Sequence, residues 1–167
     1  MASLASECQS GDLTAFERLY QTQGGRMKSV AYHLLGSIPD AEDAVQEAFL
    51  RIYRGVSSFR DEAGFSTWIY RILVNTCHDL RRRQQRRPEA PPIDDARSLS
   101  ANVPLALALE QALGQLDERH RMTFLLFEAE GFTHSEIAAI LGISETNSRY
   151  LLHQAKRELQ EILGPRS

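Results

Sequence analysis

A helical period runs through almost the whole chain and is decisively broken once. Between residues 88 and 104, Pro88, Pro91, Pro92 and Pro104 sit among Asp, Ser and Ala with no sustained apolar period. Proline removes a backbone donor and clashes with the preceding turn, so no helix crosses this stretch. Strand-like alternation is scarce elsewhere. The pattern predicts an all-α protein of two small helical domains, residues 1–87 and 105–167, joined by a flexible linker at 88–104. With 167 residues, 43% of them hydrophobic and 25% charged, the chain can supply a real core and is not disordered. No apolar run approaches the roughly 20 residues needed to span a bilayer, which excludes direct membrane insertion. The first eleven residues lack the apolar stretch of a secretory signal. Cys8 and Cys77 stand far apart without CxxC spacing, which points to a reducing, cytoplasmic setting rather than a disulfide framework.

Within the first domain, Asp12 is a candidate cap for a helix with Leu13, Phe16, Leu19 and Tyr20 as apolar positions. Gly24-Gly25 is expected to interrupt or kink it. A second stretch runs from about Met27 to Leu35, with Gly36 as its stop. Pro39 suits the start of a helix reaching about Arg54. A loop from Gly55 to Phe65 follows, and Ser66 or Thr67 opens a long helix to about Arg87. In the second domain, helices are expected near Leu105–Leu116, Glu118–Glu130, after Thr133, and from Ser144 to about Leu163.

Thr133-His134-Ser135-Glu136 has capping-box spacing, in which the Thr hydroxyl and the Glu carboxylate each satisfy the other's backbone donor. Ile137, Ala138 and Leu141 make an apolar face, Gly142 ends the helix, and Ser144 caps the next. Small residues followed by a tight turn and a new cap allow two helices to cross closely. That is helix-turn-helix chemistry, whose second helix usually enters the major groove; a plain helical hairpin is the blander reading. The exposed candidates on the second helix are Glu145, Thr146, Asn147, Arg149, Tyr150 and His153. Arg149 suits phosphate or guanine, and Asn147 suits adenine.

Two other helices are two-faced. At about 100° per residue, Ala41, Val45, Ala48 and Ile52 fall on one side of residues 39–54. Asp43, Glu47 and Arg54 fall nearly opposite, with Leu50 between them and Gln46 at the margin, an acidic stripe around an exposed leucine that suits a basic partner, or an ordinary wet face. In the helix after Ser66, Ile69, Leu73, Thr76 and Leu80 share a face. Opposite lie Trp68, Arg71, Asn75, His78, Arg82 and, near the edge, Arg86, with Phe59, Arg60 and Phe65 in the loop before them. Aromatics stack on exposed bases, amides bond base edges and arginines hold phosphates, so the stripe suits single-stranded or distorted DNA. The alternative is that Phe65 and Trp68 are core and the arginines merely solubilise.

Net charge is −3, but residues 71–87 carry six basic residues against one acidic. That local excess is a polyanion footprint in a mildly acidic chain. Enzymatic chemistry is poorly supported. His33, His78, His120, His134 and His153 form no HExxH pair, no further ligands accompany Cys77-His78, and the glycines make no P-loop. No metal, cofactor or small-molecule substrate is expected. A redox role for either cysteine would require an exposed thiol of lowered pKa.

Three segments in order, DAEDAVQEAFLRIYR at 40–54, FSTWIYRILVNT at 65–76 and EGFTHSEIAAILGIS at 130–144, resemble the bacterial extracytoplasmic-function (ECF) sigma factors. The resemblance implies a sigma region 2-like bundle and a region 4-like helix-turn-helix domain that bind core RNA polymerase, direct it to promoters and help melt the DNA. It implies that Asp43, Gln46, Glu47 and Leu50 dock on the β′ clamp helices. Phe59, Arg60, Phe65 and Asn75 then lie where a flipped −10 base is captured, with Trp68 and Arg71 in the same block. The second helix of the last motif reads the −35 element, its domain sits on the β flap, and an anti-sigma factor is an expected partner. The sequence departs from the family where Ser148 replaces a usual valine and where Leu151 and Gln154 replace frequent arginines; Arg149 keeps the basic residue. Two alternatives stand beside this reading. A sigma-like decoy would sequester an anti-sigma factor without binding promoters, and a stand-alone helix-turn-helix regulator would leave the acidic face unexplained.

Overall fold

In the computed structural model the described residues are 4–60, 64–86 and 105–164. The expected linker, 88–104, lies outside them. Two compact units divide the chain, one taking in residues 1–90 with 139–142 and the other the rest of 91–167. Among the described residues every regular element is helical, and no helix is long and apolar enough to cross a membrane.

The first unit is built from α1 (Leu4–Gln9), α2 (Leu13–Leu35), α3 (Ile38–Gly55) and α4 (Phe65–Gln85). Helices α2, α3 and α4 pack on one another, and α1 packs on α2 and on the 3-10 turn Val56–Ser58. The core takes Leu19, Met27, Val30 and Leu34 from α2, Val45 and Ile52 from α3, and Ile69, Tyr70, Leu73 and Val74 from α4. Burying each large aliphatic side chain contributes roughly 1.5–3 kcal/mol, which is what holds three amphipathic helices together.

Several local expectations hold and others do not. Asp12 caps α2 by accepting from the Thr14 amide at 3.0 Å. Helix α2 then runs unbroken through Gly24-Gly25, because the surfaces on both sides of the pair are buried and tertiary packing outweighs the roughly 1 kcal/mol per glycine. Leu19 is buried as expected, whereas Leu13 and Tyr20 are exposed. Gly36 adopts φ 73° and closes the helix on the Tyr32 carbonyl. Ser37 caps α3, with Pro39 in its first turn, and Ala41, Val45, Ala48 and Ile52 are all buried. Helix α4 begins at Phe65, ahead of Ser66 and Thr67. The Trp68 amide closes the first turn on the Gly64 carbonyl at 3.1 Å, and Thr67 is buried rather than capping. Helix α1 has no counterpart among the expected elements. Its Cys8 is buried, as is Cys77 on α4.

The second unit holds α5 (Leu105–Gln115), α6 (Glu118–Phe124), the N-terminal part of α7 (His134–Leu141) and α8 (Glu145–Leu163). Helices α5 and α6 pack on α8 around Ala112, Leu113, Leu116, Leu125, Ala155 and Leu159. His120 Nδ1 on α6 lies 2.8 Å from Glu158 on α8. The helix expected over Glu118–Glu130 is not regular throughout. Past Phe124 it widens into a π turn, Leu125–Ala129, in which the Glu130 amide reaches back five residues to the Leu125 carbonyl at 3.1 Å. The Phe132 amide follows, bonding Leu126 at 2.9 Å.

Candidate polymerase and nucleic-acid interface

The acidic stripe of α3 is positioned by its opposite face. With Ala41, Ala44, Val45, Ala48 and Ile52 buried, Asp43, Gln46 and Leu50 are turned outward, Leu50 with 49% of its surface exposed. Glu47 is half-buried and its Oε1 lies 3.4 Å from Arg51 Nε. Arg51 also donates to Asp79 at 2.8 Å, and Asp79 accepts from Arg82 through its other oxygen. The hydrogen bond from Arg51, more than any other influence, holds the Asp79 carboxyl below its ordinary pKa; partial burial opposes it and the charges of Arg51 and Arg82 assist.

Asp43, Ala44 and Glu47 of α3 line a shallow groove of ≈ 250 Å³ whose other wall is Thr76, Leu80 and Arg83 of α4. A second exposed surface continues onto α2. Phe16 meets Tyr53 with ring centroids 5.1 Å apart, and Tyr20 meets Phe49 at 5.2 Å. Tyr20 and Tyr53 remain about half exposed.

At the start of α4 the structure brings Phe59, Phe65 and Trp68 together. Their centroids are 5.2–5.9 Å apart, and Phe65 and Trp68 stack within 17° of parallel. All three are half-buried, so they are neither sealed core nor free surface. Trp68 packs where Gly55 has no side chain: a Cβ there would meet its ring at 3.4 Å. Gln9 on α1 donates its side-chain amide to the Phe59 carbonyl at 2.9 Å, fixing the turn that presents the trio. Arg60, Arg71, Asn75 and Arg82 are exposed and His78 is half-buried. Residues 61–63 lie outside the described ones. Stacked rings beside arginines and an amide can hold an unstacked base and its phosphates.

In the second unit the capping box closes in both directions. Thr133 Oγ1 accepts from the Glu136 amide at 3.1 Å, and Glu136 Oε1 accepts from the Thr133 amide at 2.9 Å. Gly142 takes φ 69° at the turn, where a side chain would be strained, and Ser144 Oγ accepts from the Asn147 amide at 3.0 Å. Helix α8 thereby presents Glu145, Thr146, Arg149, Tyr150 and His153 to solvent, with Asn147 half-buried. Arg149 is held by Glu145 at 2.6 Å. Ser148 points inward and is fully buried.

Residue patterns alone do not point to Gln9, Arg51, Asp79, Arg83 or the exposed rings of α2. Gln9 and Asp79 gain their place only through contacts 50 and 28 residues away, which no local spacing encodes. Among the described residues no group of three His, Cys, Asp or Glu side chains could hold a metal ion. Cys8 is buried, and burial foremost pushes its thiol pKa up, the reverse of what a reactive cysteine needs.

Residues 19–87 match the family described as Sigma-70 region 2, and residues 106–159 match Sigma-70, region 4. The chain is 32% identical over 168 residues to the ECF RNA polymerase sigma factor SigM of Mycobacterium tuberculosis, covering 98% of this chain and 84% of that one. It is 31% identical over 179 residues to the ECF RNA polymerase sigma-E factor of Escherichia coli, covering 97% and 93%. Among solved structures, CnrH in complex with the cytosolic domain of CnrY is similar, with a TM-score of 0.73 and 27% identity over 96% of this chain and 94% of that one. The sigma factor RpoE in complex with the anti-sigma factor NepR, from Bartonella quintana, shares the fold at a TM-score of 0.74 and 24% identity, covering 89% and 96%. Similar to these relatives nearly from end to end, and matched by both sigma-70 regions in order, the chain belongs to the ECF RNA polymerase sigma factors.

Proposed function

We propose that this chain is an alternative sigma factor, a transcription-initiation protein rather than an enzyme. It binds core RNA polymerase, directs it to specific promoters and promotes DNA opening. The observation that carries the reading is the match to both sigma-70 regions in order, one of them holding the ring trio and arginine stripe and the other the helix-turn-helix. In this reading residues 1–87 dock on polymerase and melt the −10 element, 88–104 link, and 105–167 read the −35 element.

Asp43, Gln46, Glu47 and Leu50 are the residues proposed to meet the β′ clamp helices, and the second domain the β flap. Phe59, Phe65 and Trp68 are proposed to receive an extruded base, Asn75 to bond it, and Arg60, Arg71, His78 and Arg82 to hold the strand. Extruding a base costs a few kcal/mol, which stacking at roughly 1–3 kcal/mol per base can offset. Glu145, Thr146, Asn147, Arg149, Tyr150 and His153 are the proposed −35 readers. An anti-sigma factor is the proposed inhibitory partner and the cytoplasm the proposed place of action. The similarity to a sigma factor solved with its anti-sigma factor supports the former.

The test is run-off transcription of genomic DNA with core polymerase and this protein, sequencing the RNA 5′ ends. Starts clustered below a shared two-part motif are expected. Folded protein that yields no new starts would favour a decoy that only sequesters an anti-sigma factor. Replacing Asp43 and Glu47 together by Lys should abolish core binding while helix content is retained; undiminished binding would remove that face from the docking surface.

A further inference from the structure

Ser148 is fully buried although it carries a hydroxyl. With α8 turning about 100° per residue, Ser148 lies in the middle of the buried stripe of Leu151, Leu152, Ala155 and Leu159. Arg149, Tyr150 and His153 lie on the opposite half of the helix, and Tyr150 is 58% exposed. Whatever grips Ser148 therefore grips the roll of α8 from behind.

The grip comes from His134, the first residue of α7. His134 Nδ1 and Ser148 Oγ share a hydrogen bond of 2.9 Å. The imidazole is itself held, because it stacks on Phe127 with centroids 4.6 Å apart and planes within 20°. Phe127 belongs to the π turn. Two turns further along α8, Lys156 places its Nζ 6.0 Å from the centre of the same phenyl ring and pairs with Glu128 at 2.8 Å. One side of the Phe127–His134 stack is thus tied to α8 at Ser148, and the π turn that carries it is tied again at Lys156. Apolar packing against a smooth helix face is non-directional and tolerates a change of roll. A hydrogen bond to a side chain of another helix does not, since it is directional and is met at one roll only; at any other the hydroxyl is left to the carbonyl four residues back on its own helix.

We infer that His134 is a positioning residue for recognition by α8: through Ser148 Oγ it fixes the roll that presents Arg149, Tyr150 and His153 to duplex DNA. The inference rests on the sigma-factor reading and deepens it, because His134 lies outside the reading face.

The experiment uses the full chain with core polymerase on two templates from a mapped start, alike except that one has its −35 element scrambled. The readout is the ratio of transcripts between them. H134A and S148A should each lower that ratio about tenfold, and H134A/S148A should be no worse than the weaker single variant, as expected when one bond is removed twice. S148T and S148V add the same bulk and differ by a hydroxyl against a methyl. S148T should keep the ratio and S148V should lose it. Melting followed by circular dichroism checks folding, and S148A, which adds no bulk, carries the test should both larger variants unfold. Equal ratios for S148T and S148V, additive losses, or an unchanged ratio in folded H134A would overturn the inference while leaving the sigma-factor reading intact. A wild-type chain that starts no transcripts would overturn both.

Discussion

Asp79 holds Arg51 on one carboxylate oxygen and Arg82 on the other, and Arg51 in turn reaches Glu47 on the acidic stripe. Its folded pKa lies below the unfolded value, so its contribution is full above the ordinary carboxylate range and is lost as pH falls through the folded pKa. About a third of each side chain is exposed, which limits the pair to under about 1 kcal/mol. Asp79→Asn should therefore destabilise the protein slightly at neutral pH and much less once acid has protonated the wild-type carboxyl. The gap between the urea midpoints of the two proteins should be full at pH 7 and should narrow as acid takes the pH below the ordinary carboxylate range. Gln9 is a second residue whose effect reaches beyond its own helix, since it holds the Phe59 carbonyl. Gln9→Ala should cost about 0.5–1.5 kcal/mol and should weaken promoter opening, read as permanganate reactivity of melted thymines, more than it weakens core binding.

Elements with strong periodicity or a chemically explicit cap were readable before any coordinates. Helix α3 is the clearest case: a first-turn proline and four buried positions spaced three or four apart agree, and the structure adds the Ser37 cap. Helices α7 and α8 follow from the Thr133–Glu136 box and the Ser144 cap. Gly24-Gly25 misleads because local propensity argues for a break while burial on either side argues for continuity. Gly25 has nothing within 4 Å of where a Cβ would stand, so Gly25→Ala should stabilise the protein by about 0.5–1 kcal/mol, seen as a higher melting temperature. A helix broken at that point would instead be strained by alanine. The π turn escapes a periodicity count because Met122, Thr123, Leu125 and Leu126 fit an ordinary stripe. Helix α1 is too short for its pattern to register, and it exists because α2 and the 3-10 turn receive it. At the candidate site the outward facing of Asp43, Leu50, Arg71, Asn75 and Arg149 was legible, but the half-burial of Glu47, His78, Asn147 and the ring trio was not, nor were their partners. Phe59 meets Trp68, and Ser148 meets His134, only after the chain has turned back on itself.

Taken whole, the molecule concentrates its positive charge in residues 71–87 while remaining net negative. Phosphate contacts release counterions, so promoter binding by the polymerase complex should weaken steeply with salt. Arg71 is exposed on the proposed DNA stripe, and Arg71→Ala should reduce the slope of log affinity against log salt by about one, measured by filter binding from 50 to 200 mM salt. Arg82, engaged by Asp79, should contribute a smaller change. The two thiols have a different consequence. Cys8 sits on the six-residue helix that braces the ring trio, and Cys77 sits deep in α4, both hidden from solvent. A thiol-directed reagent can reach either one only when its surroundings open, so the labelling rate is a clock for that opening. The first thiol released in native conditions should be Cys8, well ahead of Cys77. The wild-type sequence thus carries two stopwatches, one on the brace and one on the core, and a partner that clamps the first domain should slow them by different amounts.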